Sequence, residues 1–146
     1  MQKVKNITNQ IILLIVFNMT TNSLPDGWHY SEDGMSAYRS VKGLQLKHAN
    51  TIAEALLRCI RMVSFSARYS PDYVLKRETV RVAGISGTRR KIRRRGILNR
   101  EIAAEVTHYK DIGVLSLRIY PQALGQQRAT VVSEADRLLK HYMDMR

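Results

Sequence analysis

The spacing of apolar residues predicts an amphipathic helix near the middle of the chain, over Thr51–Met62. Apolar side chains recur there at intervals of three and four residues, which places them on one helical face. Thr51 and Glu54 have the spacing of a capping box, so we expect the helix to begin at Thr51. Cys59 lies in the apolar stripe, which favours a small core residue over a reactive nucleophile.

A second amphipathic helix is predicted at the end of the chain, over Glu134–Met145. Ser133 and Asp136 precede most of its apolar stripe and have the spacing of a helix start. Asp136 and Lys140 are four residues apart, so we expect their side chains to form an ion pair. Each helix therefore has one face that must be buried against another layer.

Between the two helices, alternation of apolar and polar residues predicts β-strands. Residues Val63–Tyr69 alternate strictly. Tyr73–Ile85 predict a second strand, strongest over Thr79–Ile85, where Val80 and Val82 lie on one face and Arg81 on the other. Two further segments, Arg100–Tyr109 and Val114–Tyr120, are joined by a short turn, which predicts an antiparallel hairpin. The first of these segments also fits a helical stripe, but the regular alternation of its partner favours a strand.

This order of elements predicts an α+β fold, in which an antiparallel sheet of about four strands has one amphipathic helix before it and another after it. The turn cluster Pro25–Gly27 begins this domain, which we expect to span residues 25–146. If both helices cover one face of the sheet, the other face is polar and basic. We expect that face to carry Ser64, Ser66, Arg68, Arg81 and Arg118.

Residues 1–24 form a separate segment built around the apolar run Ile11–Phe17. Seven apolar residues are too few to span a bilayer, which takes about 20. Two lysines before the run imitate a secretory signal, but the cleavage site after Ser23 is poor, so we disfavour a signal peptide. A buried strand or an arm that packs on another subunit fits the same pattern, and Met19 is an alternative start.

Composition indicates one folded domain with an uneven charge. The chain has 146 residues, 45% of them hydrophobic and 25% charged. A single cysteine cannot form an internal disulfide, which favours an intracellular compartment, cytoplasm or nucleus. The net charge is +12, and residues 76–100 hold ten Lys/Arg against Glu78 alone. Such a local excess predicts a surface for an anionic partner.

We interpret this basic strand and loop, residues 76–100, as a nucleic-acid-binding surface, with RNA favoured over DNA. Phosphates bind clustered Lys and Arg side chains favourably, because each contact releases counterions from the nucleic acid. The planar guanidinium of arginine can also bind one phosphate through two hydrogen bonds. The loop itself is predicted over Gly87–Gly96, between two strands. No base-reading pattern is present, so we expect low specificity or recognition of shape. The predicted contact residues are Arg68, Lys76, Arg77, Arg81, Arg89, Arg90, Lys91, Arg93, Arg94, Arg95 and Arg100.

Three tyrosines near the basic segment, Tyr69, Tyr73 and Tyr109, have rings that can stack on unpaired bases. We expect them instead to pack on the core or on the sheet, which is the more frequent role of a strand tyrosine.

The main competing hypothesis is a viral matrix-like assembly protein whose basic loop binds an anionic membrane surface. A bipartite nuclear-localisation pattern over the same residues is a third interpretation. A merely solvated loop is disfavoured, because six cations within the seven residues Arg89–Arg95 repel one another. Homo-oligomerisation through Ile11–Phe17 or the terminal helix would suit a ribonucleoprotein or viral structural component.

The sequence contains no catalytic motif that we recognise. The four histidines, His29, His48, His108 and His141, are scattered without metal-ligand spacing. The chain also lacks the glycine-rich phosphate-binding motif, the dinucleotide fingerprint and the nucleophile elbow. We therefore expect a non-enzymatic protein without a metal or cofactor.

Overall fold

The computed structural model describes residues 24–32, 34, 36–63, 73–95, 102–120 and 128–145. In this part of the chain, two helices lie on one face of an antiparallel β-sheet, so the predicted α+β class is confirmed. The sheet has six strands rather than about four, and the first helix follows the second strand instead of preceding the sheet. The predicted N-terminal arm lies almost wholly outside the described residues, which begin at Leu24.

The elements alternate in the order ββαββββα, and the sheet order is β1-β2-β6-β5-β4-β3 with every neighbouring pair antiparallel. A short 3₁₀ helix connects β5 to β6. The bounds are β1 His29–Tyr30, β2 Ala37–Lys42, α1 Leu46–Val63, β3 Tyr73–Val82, β4 Ile85–Arg94, β5 Ile102–Tyr109, the 3₁₀ helix Lys110–Ile112, β6 Val114–Ile119 and α2 Arg128–Asp144.

The core lies between the sheet and the two helices. We call the sheet face that packs against α1 and α2 the inner face and the opposite one the outer face. Inner-face side chains alternate along each strand with outer-face ones, as the pleat requires. The buried inner-face residues include Ala37, Val41, Ile92, Ala104, Val106, Leu115, Leu117 and Ile119.

The predicted hairpin between β5 and β6 is confirmed. Tyr109 pairs with Val114, and the register continues to Ala104 opposite Ile119. Gly113 ends the connecting 3₁₀ helix with a φ of +62°, a left-handed conformation that glycine adopts without strain. The strand predicted over Val63–Tyr69 is wrong at its first residue, because Val63 ends α1. Residues 64–72 lie outside the described part of the chain.

Helix α1 begins at Leu46, so the predicted capping box at Thr51 is wrong. The stripe extends toward the N-terminus through Ala49, which is fully buried, and Thr51 is therefore an interior residue. Its hydroxyl donates to the carbonyl of Lys47 at 3.0 Å. The helix start is closed by His48 instead, whose Nδ1 accepts from the backbone N–H of Gln45 at 2.9 Å. A histidine thus does what glutamate does in a capping box.

We expect this cap to weaken in mild acid. Partial burial, with a smaller contribution from Lys47, lowers the pKa of His48 below its ordinary 6.5. The unfolded chain therefore takes up a proton first, so stability should begin to fall as the pH drops through about 6.5. Replacing His48 with alanine should cost about 0.5 kcal/mol at pH 8, a low figure because the bond is exposed.

Thermal unfolding of wild type, H48A and H48Q between pH 5 and 8 measures this effect. H48Q supplies a neutral acceptor and should be the least pH-sensitive of the three, because glutamine serves at this helix position without titrating. An equal loss of stability in acid by wild type and H48Q would show that His48 does not cause it.

Helix α2 begins at Arg128, six residues before the predicted start. Val131 and Val132 are buried and extend the apolar stripe backward, so Ser133 and Asp136 do not cap the helix. The predicted ion pair between Asp136 and Lys140 is confirmed at 2.9 Å. Asp136 itself is buried.

Candidate functional site

The arginine-rich segment is a strand and not a loop. Residues Ile85–Arg94 form β4, which pairs with β3 over ten residues and with β5 on its other side. Ala83 and Gly84 close the β3–β4 hairpin, and both have positive φ, 52° and 81°, as in a type I′ turn. The second predicted strand ran through to Ile85 and the loop was predicted over Gly87–Gly96, but the chain already turns at Ala83–Gly84, so both predictions are wrong here.

Gly87 lies within β4, and the ring of Tyr109 of β5 packs across it. A Cβ at position 87 would lie 2.8 Å from Cδ1 of the Tyr109 ring and 3.2 Å from the carbonyl oxygen of His108. Such distances leave no room for a side chain, so glycine here permits a close approach rather than a turn. Tyr109 is thereby held against the outer face, half-buried.

Strand alternation divides the basic run between the two faces. Ile92 is in the core, so its neighbours Lys91 and Arg93 point to the outer face, and Arg89 shares that face. Arg90 and Arg94 share the inner side with Ile92. From the sequence alone, all of these cations were predicted to lie on one binding surface.

The remaining predicted contact residues also divide by strand parity. On β3, Lys76 lies on the outer face, whereas Arg77 and Arg81 are on the inner side. Arg95 follows β4 and is exposed. Arg68 and Arg100 lie outside the described residues.

Within the described strands, the outer face has a strong excess of positive charge. It carries six cations and only two acids. The cations are Lys42, Lys76, Arg89, Lys91, Arg93 and Arg118, and the acids are Glu78 and Glu105. Arg118 and Lys42 come from β6 and β2, outside the basic segment of the sequence.

Both acids already have cationic partners on this face. Lys91 Nζ lies 3.2 Å from Glu78, and Arg89 Nη1 lies 4.0 Å from Glu105. Glu105 is buried and also accepts from the Tyr120 hydroxyl at 3.0 Å. Burial, and then the charge and hydrogen bond of Glu105, raise the pKa of Tyr120 to about 12, so Tyr120 remains a donor at neutral pH.

Three further cations of the outer face are Lys76, Arg93 and Arg118. Lys76 is exposed and directly opposite Lys91, which places two like charges side by side. Arg118 lies over the ring of Tyr38, 5.2 Å from its centroid, and donates to Ser36 at 2.9 Å. Arg93 donates to the carbonyl of Arg94 at 3.5 Å, a long hydrogen bond. These groups are positioned to meet an anion from outside.

Arg90 is enclosed on the inner side, with only 4% of its surface exposed. Its Nη1 has no hydrogen-bond partner within the described structure. Burial and the neighbouring charge of Arg77 lower the pKa of Arg90, with Glu54 opposing them. An enclosed guanidinium of this kind cannot reach a phosphate on the outer face. Tyr73, at 1% exposure, packs in the core nearby.

The described part of the chain contains no group of three His, Cys, Asp or Glu side chains able to hold a metal ion. None of its helices combines the length and apolar character needed to cross a bilayer. Burial and the charge of Glu134 raise the pKa of the half-buried Cys59, which keeps its thiol protonated.

Comparisons of the chain with known protein families, with curated proteins and with solved structures found no match.

Proposed function

We propose that the outer face of the sheet binds nucleic acid, RNA in preference to DNA, mainly through its phosphates. The observation that supports this proposal is the charge of that face, six cations against two acids that are already paired. Lys76 lies directly opposite Lys91, and like charges opposed across a strand pair destabilise the folded protein. A bound polyanion offsets this repulsion, and each phosphate contact also favours binding because it releases counterions.

The arrangement favours contact with a phosphate backbone over base reading. Arg89, Lys91 and Arg93 follow one another on alternate positions of β4, about 6.7 Å apart, so they form a row and not a cluster. Such a row is suited to successive phosphates along one strand. Phosphate contacts carry no sequence information, so we expect low sequence specificity.

The deciding experiment removes three charges from the outer face. In the variant K76Q/K91Q/R93Q, binding to single-stranded RNA should weaken on the order of tenfold at low salt, because three phosphate contacts are lost. The slope of log K against log salt should become shallower by about 2, at roughly 0.7 for each contact. Fluorescence anisotropy at several salt concentrations, on single- and double-stranded RNA and DNA, measures both quantities.

The matched control removes three charges from the helical layer. K47Q/R58Q/R137Q changes three exposed side chains on α1 and α2 and has the same net charge as the test variant. It should keep the wild-type slope. An unchanged slope in the outer-face variant, or an equal change in the control, would refute the proposal.

Vesicle flotation with the same proteins tests the competing membrane hypothesis. If the outer-face variant loses binding to phosphatidylserine vesicles while its RNA binding is intact, the basic face serves a membrane instead of a nucleic acid. Thermal unfolding of each variant shows whether the protein is still folded, since Lys91 also pairs with Glu78.

A further inference from the structure

A hollow of about 270 Å³ opens on the outer face, beside the β3–β4 turn. We propose that it receives one unpaired base of a bound RNA strand. This inference rests on the proposed function and adds to it a contact that phosphates cannot provide. It would make the outer face prefer single strands over duplexes.

The hollow has apolar walls and a polar strip. The walls come from the β3–β4 turn and from the connection between β5 and β6. Val82 and Ile112 are 47% and 48% exposed, so much of this apolar surface meets water when the site is empty. An aromatic base that covered both side chains would remove that surface from water. The lining is Ser40, Val82, Ala83, Ile85, Tyr109, Ile112, Val114 and Ser116.

Tyr109 gives the hollow an aromatic wall in a fixed position. Its ring packs across Gly87 at distances that no other residue would permit. Stacking against an aromatic side chain is sequence-tolerant, because every base has a π-face. This agrees with a surface that otherwise holds the phosphate backbone.

The polar strip consists of two hydroxyls. Ser40 and Ser116 are direct partners across β2 and β6, both on the outer face. Each hydroxyl can donate one hydrogen bond and accept others, so together they suit the mixed donors and acceptors on the edge of a base. A purely apolar ligand would leave both hydroxyls unpaired.

The hollow also adjoins the cations of the same face. Ser116 lies opposite Thr107, which lies opposite Arg89, so the three side chains form one row across the sheet. Arg89 Nε donates to the Thr107 hydroxyl at 3.1 Å, which aligns the guanidinium along that row. On the other side, Lys42 is opposite Val114 of the hollow wall. A planar aromatic group joined to negative charge fits this arrangement, and a nucleotide within a strand is such a group.

The test compares an RNA 10-mer with the same strand made abasic at every position, which keeps the phosphates and removes the bases. Wild type should bind the intact strand on the order of tenfold more tightly, the effect of roughly one stacked base. In S116V, which fills the hollow and removes a hydroxyl, and in I112A, which removes a wall, this ratio should fall toward one. Their salt slopes should stay at the wild-type value, since no cation changes.

L46A is the matched control, because Leu46 is 41% exposed and lies on α1, away from the outer face. It should keep the wild-type ratio. Equal binding of intact and abasic strands by wild type, or a full ratio in both hollow variants, would overturn the base site. The phosphate proposal would survive that result as long as K76Q/K91Q/R93Q lowers the salt slope. A wild-type protein with no salt-dependent binding would overturn both.

Discussion

Replacing Asp136 with alanine is expected to destabilise the fold by about 2–4 kcal/mol. The carboxylate of this α2 residue is buried and accepts from Trp28 Nε1 at 3.0 Å and from Arg39 Nη1 at 3.1 Å. Its second oxygen lies 2.9 Å from Lys140 Nζ. Alanine would leave the indole N–H and the Arg39 guanidinium without their partner in a part-buried setting, and such orphaned donors are costly.

The same carboxylate should make stability depend on pH. Burial alone would raise the pKa of Asp136, but hydrogen bonds from Lys140 and Trp28, with the charge of Arg39, outweigh it and lower the pKa below the ordinary 3.8. A lowered pKa contributes stability that is present above about pH 3.8 and is lost as the pH falls through the folded value. D136N cannot titrate and should lack this acid-dependent part.

Urea unfolding at pH 7 and at pH 3 measures both effects on wild type, D136A and D136N. The control is E134Q, which disrupts the neighbouring pair with Arg137, 2.6 Å long, in which the Arg137 side chain is exposed and the Glu134 side chain partly so. It should change stability little, as exposed pairs do. A D136A protein as stable as E134Q would show that the buried carboxylate does not join α2 to the β1–β2 region.

Replacing Gly87 with valine is expected to cost about 1–3 kcal/mol, the usual range for overpacking. The added Cβ would lie 2.8 Å from the Tyr109 ring and 3.2 Å from a backbone oxygen, so the ring or the strand must move. This result runs against strand propensity, which favours valine over glycine. Because Tyr109 lines the outer-face hollow, G87V should also reduce the preference for intact over abasic RNA.

The matched control is S86V on the same strand, where the side chain is exposed and should tolerate valine. Chemical unfolding of G87V, Y109A and the double variant isolates the clash. If the ring is the obstacle, G87V should cost less in the Y109A background, a non-additivity expected of contacting residues. Strictly additive costs would show that Tyr109 and Gly87 do not compete for the same space.

The β5–β6 hairpin and the two helices were predictable because each depends on local signals. Val114–Ile119 alternates apolar and polar residues, which indicates a strand. Helix α1 carries an apolar stripe over several turns, which indicates a helix. Helix starts were missed by five and six residues, because Ala49 and Val131 extend the stripes and the cap of α1 is an unusual histidine. The motif T-x-x-E at Thr51 was a chance match inside the helix.

Strand β2 was missed because Arg39 occupies an inner-face position between Ala37 and Val41. A charged residue there breaks the apolar alternation that identifies a strand. It is accommodated because Asp136, 97 residues later in the chain, supplies a buried carboxylate. No local window of sequence contains both partners.

The sequence by itself determined where the positive charge is, since the excess of Lys and Arg in residues 76–100 needs only counting. It also determined the helices and the last hairpin, since the spacing of apolar residues that indicates them is local. Which of those cations share a face was decided only by the tertiary structure. The turn at Ala83–Gly84 sets the parity of β4, and parity sends Lys91 and Arg93 to the outer face and Arg90 to the inner one. The hollow required the sheet order as well, because pairing of β2 with β6 brings Ser40 beside Ser116, 76 residues apart in the chain.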